Sequence, residues 1–125
     1  MIRALDHLVL TVRDLAATEA FYCDGLGMEL RTFRGGRRAL HFGTQKINLH
    51  EAGREVEPKA ARPTPGSADL CLLTDLAMDD VLARLTEHDI AVIEGPAERT
   101  GAEGPILSVY LRDPDDNLIE ISRRL

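Results

Sequence analysis

The 125-residue sequence has no tryptophan, and aromatic residues make up only 4% of it. This scarcity argues against a site that stacks a large planar ligand, because stacking depends on aromatic faces. Cys23 and Cys71 are the two cysteines, and they lack CxxC spacing. The sequence therefore suggests neither a disulfide framework nor a zinc knuckle, and we expect reduced thiols in a cytoplasmic protein.

Long apolar runs and a basic excess are also missing. No run has membrane-spanning length, and the first residues lead directly into a strand pattern without the apolar core of a signal peptide. The net charge of −6 disfavours nucleic acid and anionic lipid, which both attract basic faces. The basic RGGRR segment at residues 34–38 is interpreted first as a solvated hairpin tip, and anion binding is its alternative role. We expect no nucleic-acid or membrane partner.

The sequence contains one pattern of elements twice. Residues 5–12 and 68–74 are apolar and β-branched, which predicts strands. A helical pattern follows each of them, with Asp14 and Asp75 as the expected N-caps. Further strands are predicted at residues 28–34, 37–42, 45–51, 90–94, 106–112 and 118–123. The predicted fold is α+β, with two tandem βαβββ modules forming a cup-shaped, largely antiparallel sheet.

Proline and glycine divide this pattern. Residues 57–65 are proline-rich and break the periodicity, so they are predicted to link a module at 1–56 to a module at 66–125 within a single domain. Residues 95–105 combine glycine, proline and charged side chains. We expect a long loop there, which is either a lid or binding element or a mobile surface loop without a role in binding.

Strand alternation predicts which polar side chains face the cup, because only one parity of each strand can do so. His7, His50, Asp69 and Glu120 share that parity on otherwise apolar strands. A divalent cation would satisfy such imidazoles and carboxylates, whose unpaired burial is costly. We predict His7, His50 and Glu120 as metal ligands. Asp69 is either a fourth ligand or a group that orients one.

The other two histidines are predicted to have no role in this site. The orientation of His41 depends on the turn that follows it, and His88 lies near the end of the second predicted helix. Both are expected to be structural or exposed.

Three segments, DHLVLTVRDL, FYCDGLGM and ILSVYLRDPDDNLIEI, together resemble the vicinal oxygen chelate superfamily. This superfamily includes glyoxalase I, fosfomycin and bleomycin resistance proteins and extradiol dioxygenases. FGTQKINLHE and EGPAERTGAEGP are most similar to its small glyoxalase-domain, virulence-protein-like members. The resemblance implies a glyoxalase-like fold, a small-molecule substrate and a homodimer.

The same resemblance supports the ligand set residue by residue. His7 matches the histidine of the family's first strand, His50 matches the ligand that ends the first module, and Glu120 matches the glutamate after DPDxN. Asp69 stands where the family most often has histidine, so this chain departs from the common pattern. Imidazole and carboxylate ligands do not choose among Ni, Co, Mn, Fe and Zn.

Four further residues are predicted to bind substrate: Asn48, Cys71, Ser108 and Tyr110. Ser108 and Tyr110 belong to an SxYxxDP strand similar to the one with which fosfomycin resistance proteins contact substrate. Cross-strand packing is the alternative role for these two hydroxyls, and a small core filler is the alternative for Cys71.

The resemblance leads to one principal hypothesis for the reaction. The protein would be a glyoxalase-type lyase or isomerase, in which a divalent metal binds vicinal oxygens of a small carbonyl substrate and stabilises an enediolate. Glu120, or a water on the metal, would move the proton. The alternatives are metal-dependent thiol transfer to an electrophile, as in fosfomycin resistance, and a metal-free ligand-sequestering protein. An iron-dependent, dioxygenase-like activity is a minor option.

Overall fold

The computed structural model describes all 125 residues. Its contacts divide the chain into two compact units, Met1–Gly66 (unit 1) and Ser67–Leu125 (unit 2). Each unit contains one four-stranded mixed sheet, so the predicted α+β class is confirmed.

Unit 1 has the predicted βαβββ order. Its elements are β1 (His7–Val12), α1 (Leu15–Glu19), β2 (Glu29–Phe33), β3 (Arg37–Phe42) and β4 (Gln45–Glu51). The sheet order is β1-β4-β3-β2, in which β1 is parallel to β4 and the other two pairings are antiparallel.

The first helix begins where the sequence predicts. Asp14 is its N-cap, and its carboxylate accepts a hydrogen bond from the Ala17 backbone N–H at 3.2 Å. The segment continues as a π-helix over Ala20–Gly25. Tyr22 on this segment is fully buried, so the helix is anchored to the core by an aromatic side chain.

Unit 2 repeats the order. Its elements are β5 (Asp69–Leu73), α2 (Met78–Glu87), β6 (Glu94–Gly101), β7 (Gly104–Arg112) and β8 (Leu118–Arg124). The sheet order is β5-β8-β7-β6, with β5 parallel to β8. Two of the three pairings in each sheet are antiparallel, as predicted. None of the helices is long and apolar enough to cross a membrane.

The predicted cap of the second helix is wrong. Ala77, not Asp75, occupies the N-cap position of α2, and no side chain caps that end. The chain first forms a turn in which the Thr74 hydroxyl accepts a hydrogen bond from the Leu76 N–H at 3.1 Å. This turn delays the start of the helix to Met78.

The strand predicted at residues 90–94 and the loop predicted at 95–105 are also wrong. Most of that segment is β6, which pairs with β7 through a two-residue turn at Ala102 and Glu103. The register shifts between Glu94 and Ala97, and Gly95 has a φ of +95° there. A bulge tolerates proline in a strand, since the ladder is interrupted at that point. The glycine and proline therefore mark a bulged hairpin.

Most of the buried apolar strand side chains have the parity opposite to that of the predicted site residues. Leu10 and Val12 are buried on β1, whereas His7 and Val9 are exposed. Val109, Leu111, Ile119 and Ile121 are buried on β7 and β8. Alternation thus assigns most apolar side chains to one face of each sheet and most polar groups to the other.

The turn before β8 fixes the position of that strand. The Asp113 carboxylate accepts hydrogen bonds from the N–H groups of Asp115 and Asn117, both at 2.9 Å, and from the Asn117 amide at 2.8 Å. The Asn117 side-chain oxygen accepts a hydrogen bond from the Ala68 N–H at 2.9 Å, just before β5. The DPDDN segment thus connects the start of β8 to the start of β5.

Candidate functional site

Unit 2 contains an open pocket of about 460 Å³ on the polar face of its sheet. It is lined by Cys71, Leu73, Arg99, Thr100, Gly101, Ala102, Glu103, Ile106, Tyr110, Glu120 and Arg124. Three predicted site residues therefore meet in one pocket: Cys71, Tyr110 and Glu120.

Glu120 lies at the centre of this group because of the strand register. It pairs with Cys71 of β5 on one side and with Tyr110 of β7 on the other. The Ser122 hydroxyl donates a hydrogen bond of 3.4 Å to Glu120 Oε1. A half-buried carboxylate thus has a thiol and a phenol as its cross-strand neighbours.

Cys71 contributes a neutral thiol to the pocket. Its Sγ lies 3.2 Å from the Ser122 hydroxyl. Partial desolvation raises the pKa of Cys71, the Glu120 carboxylate raises it further, and the hydrogen bond with Ser122 opposes the shift. The thiol is therefore protonated at neutral pH, and the site does not activate it as a nucleophile.

Arg99 fixes the Tyr110 side chain. Its Nε donates a hydrogen bond to Tyr110 Oη at 3.1 Å, and its Cζ lies 5.5 Å from the centroid of the Tyr110 ring. Its Nη2 lies 3.4 Å from a carboxylate oxygen of Glu94. The phenol is thus held from one side, and its hydroxyl can still donate a hydrogen bond to a ligand.

Ser108 occupies a different environment from the one the SxYxxDP motif suggested. It is fully buried, does not line the pocket, and forms a hydrogen bond of 2.7 Å with the Ser122 hydroxyl. Its predicted contact with substrate stays a prediction. In the structure Ser108 forms a hydrogen bond with the Ser122 hydroxyl, and that hydroxyl donates a hydrogen bond to the Glu120 carboxylate.

His7 and His50 lie on one face of the sheet in unit 1. His7 pairs with Lys46 and Thr11 pairs with His50, so the two histidines are separated by four residues along β1. His7 is exposed, and its Nδ1 lies 2.8 Å from Asp6 Oδ2. His41 also pairs with Lys46, which places it on the same face and resolves the orientation that the sequence left open.

His50 is the side chain that best fits a metal. It is 5% exposed, and its Nε2 is buried without a hydrogen-bond partner. Burial lowers the pKa of His50, as does the charge of Arg37, while Glu55 opposes the shift. The imidazole is therefore neutral with a ring nitrogen unpaired, and neutral imidazole is the form that ligates metal ions. Asn48 resembles it, with 6% exposure and an unpartnered Oδ1.

Asp69 is exposed and pairs with Leu118, on the same face as Cys71 but two residues away from the pair formed by Cys71 and Glu120. In neither unit do three or more His, Cys, Asp and Glu side chains form a set that could hold a metal. The full ligand set His7, His50, Asp69 and Glu120 stays a prediction, supported by the free nitrogen of His50.

Sequence reasoning missed five polar residues of unit 2 around Glu120: Arg99, Thr100, Glu103, Ser122 and Arg124. Ser122 and Arg124 share the parity of Glu120, so extending the alternation by four residues would have found them. Arg99, Thr100 and Glu103 fall in the segment that was predicted to be a loop. Only the hairpin brings them to the pocket.

Comparison with known proteins agrees with this fold. Residues 4–121 match the model of the Glyoxalase/Bleomycin resistance protein/Dioxygenase superfamily. The chain is 55% identical over 123 residues to a virulence protein of Salmonella typhimurium, covering 98% of this chain and 85% of the relative. It is 56% identical over 121 residues to a glyoxalase domain-containing protein of Mycosarcoma maydis, covering 97% of this chain and 68% of the relative.

Solved structures lead to the same grouping. The crystal structure of the Salmonella virulence protein superimposes with a TM-score of 0.98 at 54% identity, covering 100% of this chain and 99% of that one. A lactoylglutathione lyase from Agrobacterium tumefaciens superimposes with a TM-score of 0.74 at 25% identity, covering 98% and 95%. The chain belongs to the Glyoxalase/Bleomycin resistance protein/Dioxygenase superfamily, the vicinal oxygen chelate proteins.

Proposed function

We propose that this protein is a metal-dependent lyase or isomerase of the glyoxalase type, acting on a small carbonyl compound with vicinal oxygens. The observation that carries the proposal is the position of Glu120. Its carboxylate lines a pocket between the Cys71 thiol and the Tyr110 phenol. The similarity to a lactoylglutathione lyase supports the same reaction class.

The predicted ligands of the metal are His7, His50 and Glu120, with Asp69 as a fourth ligand or as a group that orients one. The neutral imidazole of His50, with its unpartnered Nε2, fits this role. When bound, a divalent ion supplies positive charge that stabilises negative charge developing on substrate oxygens. Ni, Co, Mn, Fe and Zn all accept imidazole and carboxylate ligands, so each of these five ions fits the predicted set.

Residues of unit 2 carry out the proton transfer and hold the substrate. Glu120 accepts the proton from the carbon next to the carbonyl group and returns it to the neighbouring atom, since a carboxylate within hydrogen-bond reach can serve as base and then as acid. The Ser122 hydroxyl orients this carboxylate from Oε1. The Tyr110 hydroxyl, which is held by Arg99, donates a hydrogen bond to a substrate oxygen.

The test is an assay of the metal-loaded protein against a panel of small hydroxycarbonyl and dicarbonyl compounds, with Glu120→Gln as the variant. We expect turnover to fall by about 100-fold or more, which is the typical contribution of a positioned acid–base group. Glu103→Gln is the matched control, because it removes the same charge from the same pocket and Glu103 is paired with Arg124. Full activity of Glu120→Gln would refute the assignment.

Two alternatives correspond to other outcomes of this assay. Thiol addition to an epoxide, together with fosfomycin tolerance in cells that express the protein, would identify a thiol transferase. Ligand binding by a protein that takes up none of the five metals would identify a sequestering protein. Elemental analysis of the purified protein separates these classes.

We also propose that the protein acts as a cytoplasmic homodimer. Isologous pairs are the commonest oligomers, and the superfamily resemblance implies the same state. Light scattering coupled to gel filtration measures the mass directly. A single species at the monomer mass of 13.8 kDa would refute the dimer.

A further inference from the structure

Unit 1 holds two cationic side chains that the proposed reaction does not use. Lys46 Nζ lies 4.2 Å from the centroid of the Phe33 ring, and Arg37 Cζ lies 4.9 Å from the same centroid. Both side chains are half-buried. We call Arg37 and Lys46 the cation pair. Both charged groups contact the Phe33 ring, so they lie close together on one face of the sheet.

No carboxylate forms an ion pair with the cation pair, although the charges of Asp6 and Lys46 attract each other. Glu29, on a neighbouring strand, forms an ion pair with Arg31 at 3.1 Å, and Asp6 is bound to His7. Arg38, the next residue after Arg37, is paired with Glu19. Neither Arg37 nor Lys46 takes part in an ion pair. Two partly desolvated cations that lack an ion-pair partner favour an anionic ligand.

A second and independent observation concerns Asn48 and His50. They follow Lys46 on β4 at intervals of two residues, so all three share one face of the strand. Both are more than nine-tenths buried, and Asn48 Oδ1 and His50 Nε2 lack hydrogen-bond partners. A carbonyl oxygen such as Asn48 Oδ1 can only accept, so it requires a ligand that donates a hydrogen bond.

We infer that this face of unit 1 binds a small hydroxy acid, whose carboxylate contacts Arg37 and Lys46 and whose hydroxyl group donates to Asn48 Oδ1. The two cations require a negative charge, and the amide oxygen requires a hydrogen-bond donor. A hydroxy acid supplies both. The inference goes beyond the proposed function and does not rest on it, because it assigns a ligand site to unit 1 alone.

The experiment is an NMR titration of the protein with lactate, propionate and lactamide as probes. Lactate should bind most tightly. Propionate lacks the hydroxyl group and should bind about fivefold more weakly, because one hydrogen bond between neutral groups is lost. Lactamide lacks the negative charge and should bind about tenfold more weakly or worse, because hydrogen bonds to charged groups are stronger. Equal affinity for lactate and lactamide would overturn the anion site, and equal affinity for lactate and propionate would overturn the role of Asn48.

Substitutions then locate the site. Arg37→Gln and Lys46→Gln should each weaken lactate binding about tenfold. Arg34→Gln removes the same charge from an exposed position in the turn before β3 and should leave the affinity unchanged. Equal weakening in all three variants would indicate a general charge effect and overturn the inference. Because these groups are half-buried or exposed, we expect the variants to fold.

The same titration separates this inference from the proposed function. Glu120→Gln should lose turnover and keep its affinity for lactate, because Glu120 belongs to unit 2 and is not part of the proposed anion site. Turnover of carbonyl compounds by a protein that binds lactate, propionate and lactamide equally weakly would refute only the inference. Selective lactate binding without turnover of any compound would refute only the proposed function.

Discussion

The burial of His50 lowers the stability of the fold in acid, and it leaves a ring nitrogen free to bind a ligand. The alternation of β4 places it among buried residues, where its Nε2 lacks a partner. Burial disfavours the protonated imidazole and lowers the pKa of His50. The residue therefore destabilises the fold in acid while it offers a ring nitrogen to an electrophilic ligand.

This environment predicts a pH dependence of stability. An ordinary histidine has a pKa of about 6.5, so the unfolded chain takes up a proton at His50 before the folded chain does as the pH falls. The free energy of unfolding should therefore be fully retained above about pH 6.5 and decrease below it. Urea unfolding of the metal-free protein between about pH 7.5 and pH 5.5 measures this decrease.

The variant His50→Gln should reduce the decrease, because the titrating group is removed. His88→Gln is the control, since His88 is exposed at the end of α2. A pH dependence that is the same in His50→Gln as in the wild type would show that other groups cause it.

Individual site residues differ in how well the sequence predicts them. Glu120, Tyr110 and Cys71 follow from strand parity, and the structure brings them into one pocket. Ser122 shares the parity of Glu120, but only its hydrogen bonds with Ser108 and Glu120 show that it belongs to the site. The orientation of Ser108, a buried hydroxyl, depends on packing that periodicity does not describe.

At the scale of elements, the DPDDN turn positions the strand that carries Glu120. The Asp113 carboxylate accepts three hydrogen bonds within the turn, and Asp113 is buried. Because β8 pairs with β5 and β7 directly after this turn, the register that sets Glu120 beside Cys71 begins here.

Replacing Asp113 by alanine should lower the free energy of unfolding by about 3 kcal/mol or more, since buried donors would lose a charged acceptor. Chemical denaturation measures the change. Asp116→Asn is the matched control. It removes a charge from the same turn at an exposed position, and asparagine tolerates the φ of +66° found there. A loss of similar size in both variants would attribute the effect to charge alone.

The bulge at the start of β6 predicts a loss of stability when Gly95 is replaced. A Cβ on Gly95 would lie 2.5 Å from the Ser108 carbonyl oxygen, and the φ of +95° is unfavourable for any other residue. We expect Gly95→Ala to destabilise unit 2 by about 2 kcal/mol or more, through backbone strain and the clash together.

Gly53→Ala is the control that separates the effect of backbone strain from the effect of the clash. Gly53 also has a positive φ, of +85°, but a Cβ there would meet nothing within 4 Å. Thermal unfolding should therefore show a smaller loss for Gly53→Ala than for Gly95→Ala. Equal losses would mean that the contact with Ser108 contributes nothing.

Strands and helices were predicted well where periodicity was clear. The bounds of β3 and β4 agree with the predicted residues, and the Asp14 cap is confirmed. The failure at residues 90–105 has one cause: glycine and proline are the same signal for a loop and for a bulged hairpin. The pairing partner β7 decides between them, and local sequence does not contain that partner's register.

For the whole molecule, metal binding should be visible as stability. An ion that binds only the folded chain raises the free energy of unfolding, by about 2.7 kcal/mol at 100 times its dissociation constant. We expect the melting temperature of the wild type to rise with one of Ni, Co, Mn, Fe or Zn. His50→Gln should lose most of this rise and His88→Gln should keep it. No shift with any of the five ions would refute the metal proposal.

The sequence by itself determined the repeated βαβββ order, the parity of the polar positions and the superfamily, because alternation and capping are local and are repeated over many residues. Only the tertiary structure decided which of those polar groups meet. Register placed Glu120 between Cys71 and Tyr110, a bulged hairpin brought Arg99 to the same pocket, and packing left His50 without a partner. These facts depend on pairings between distant segments, which no local pattern encodes.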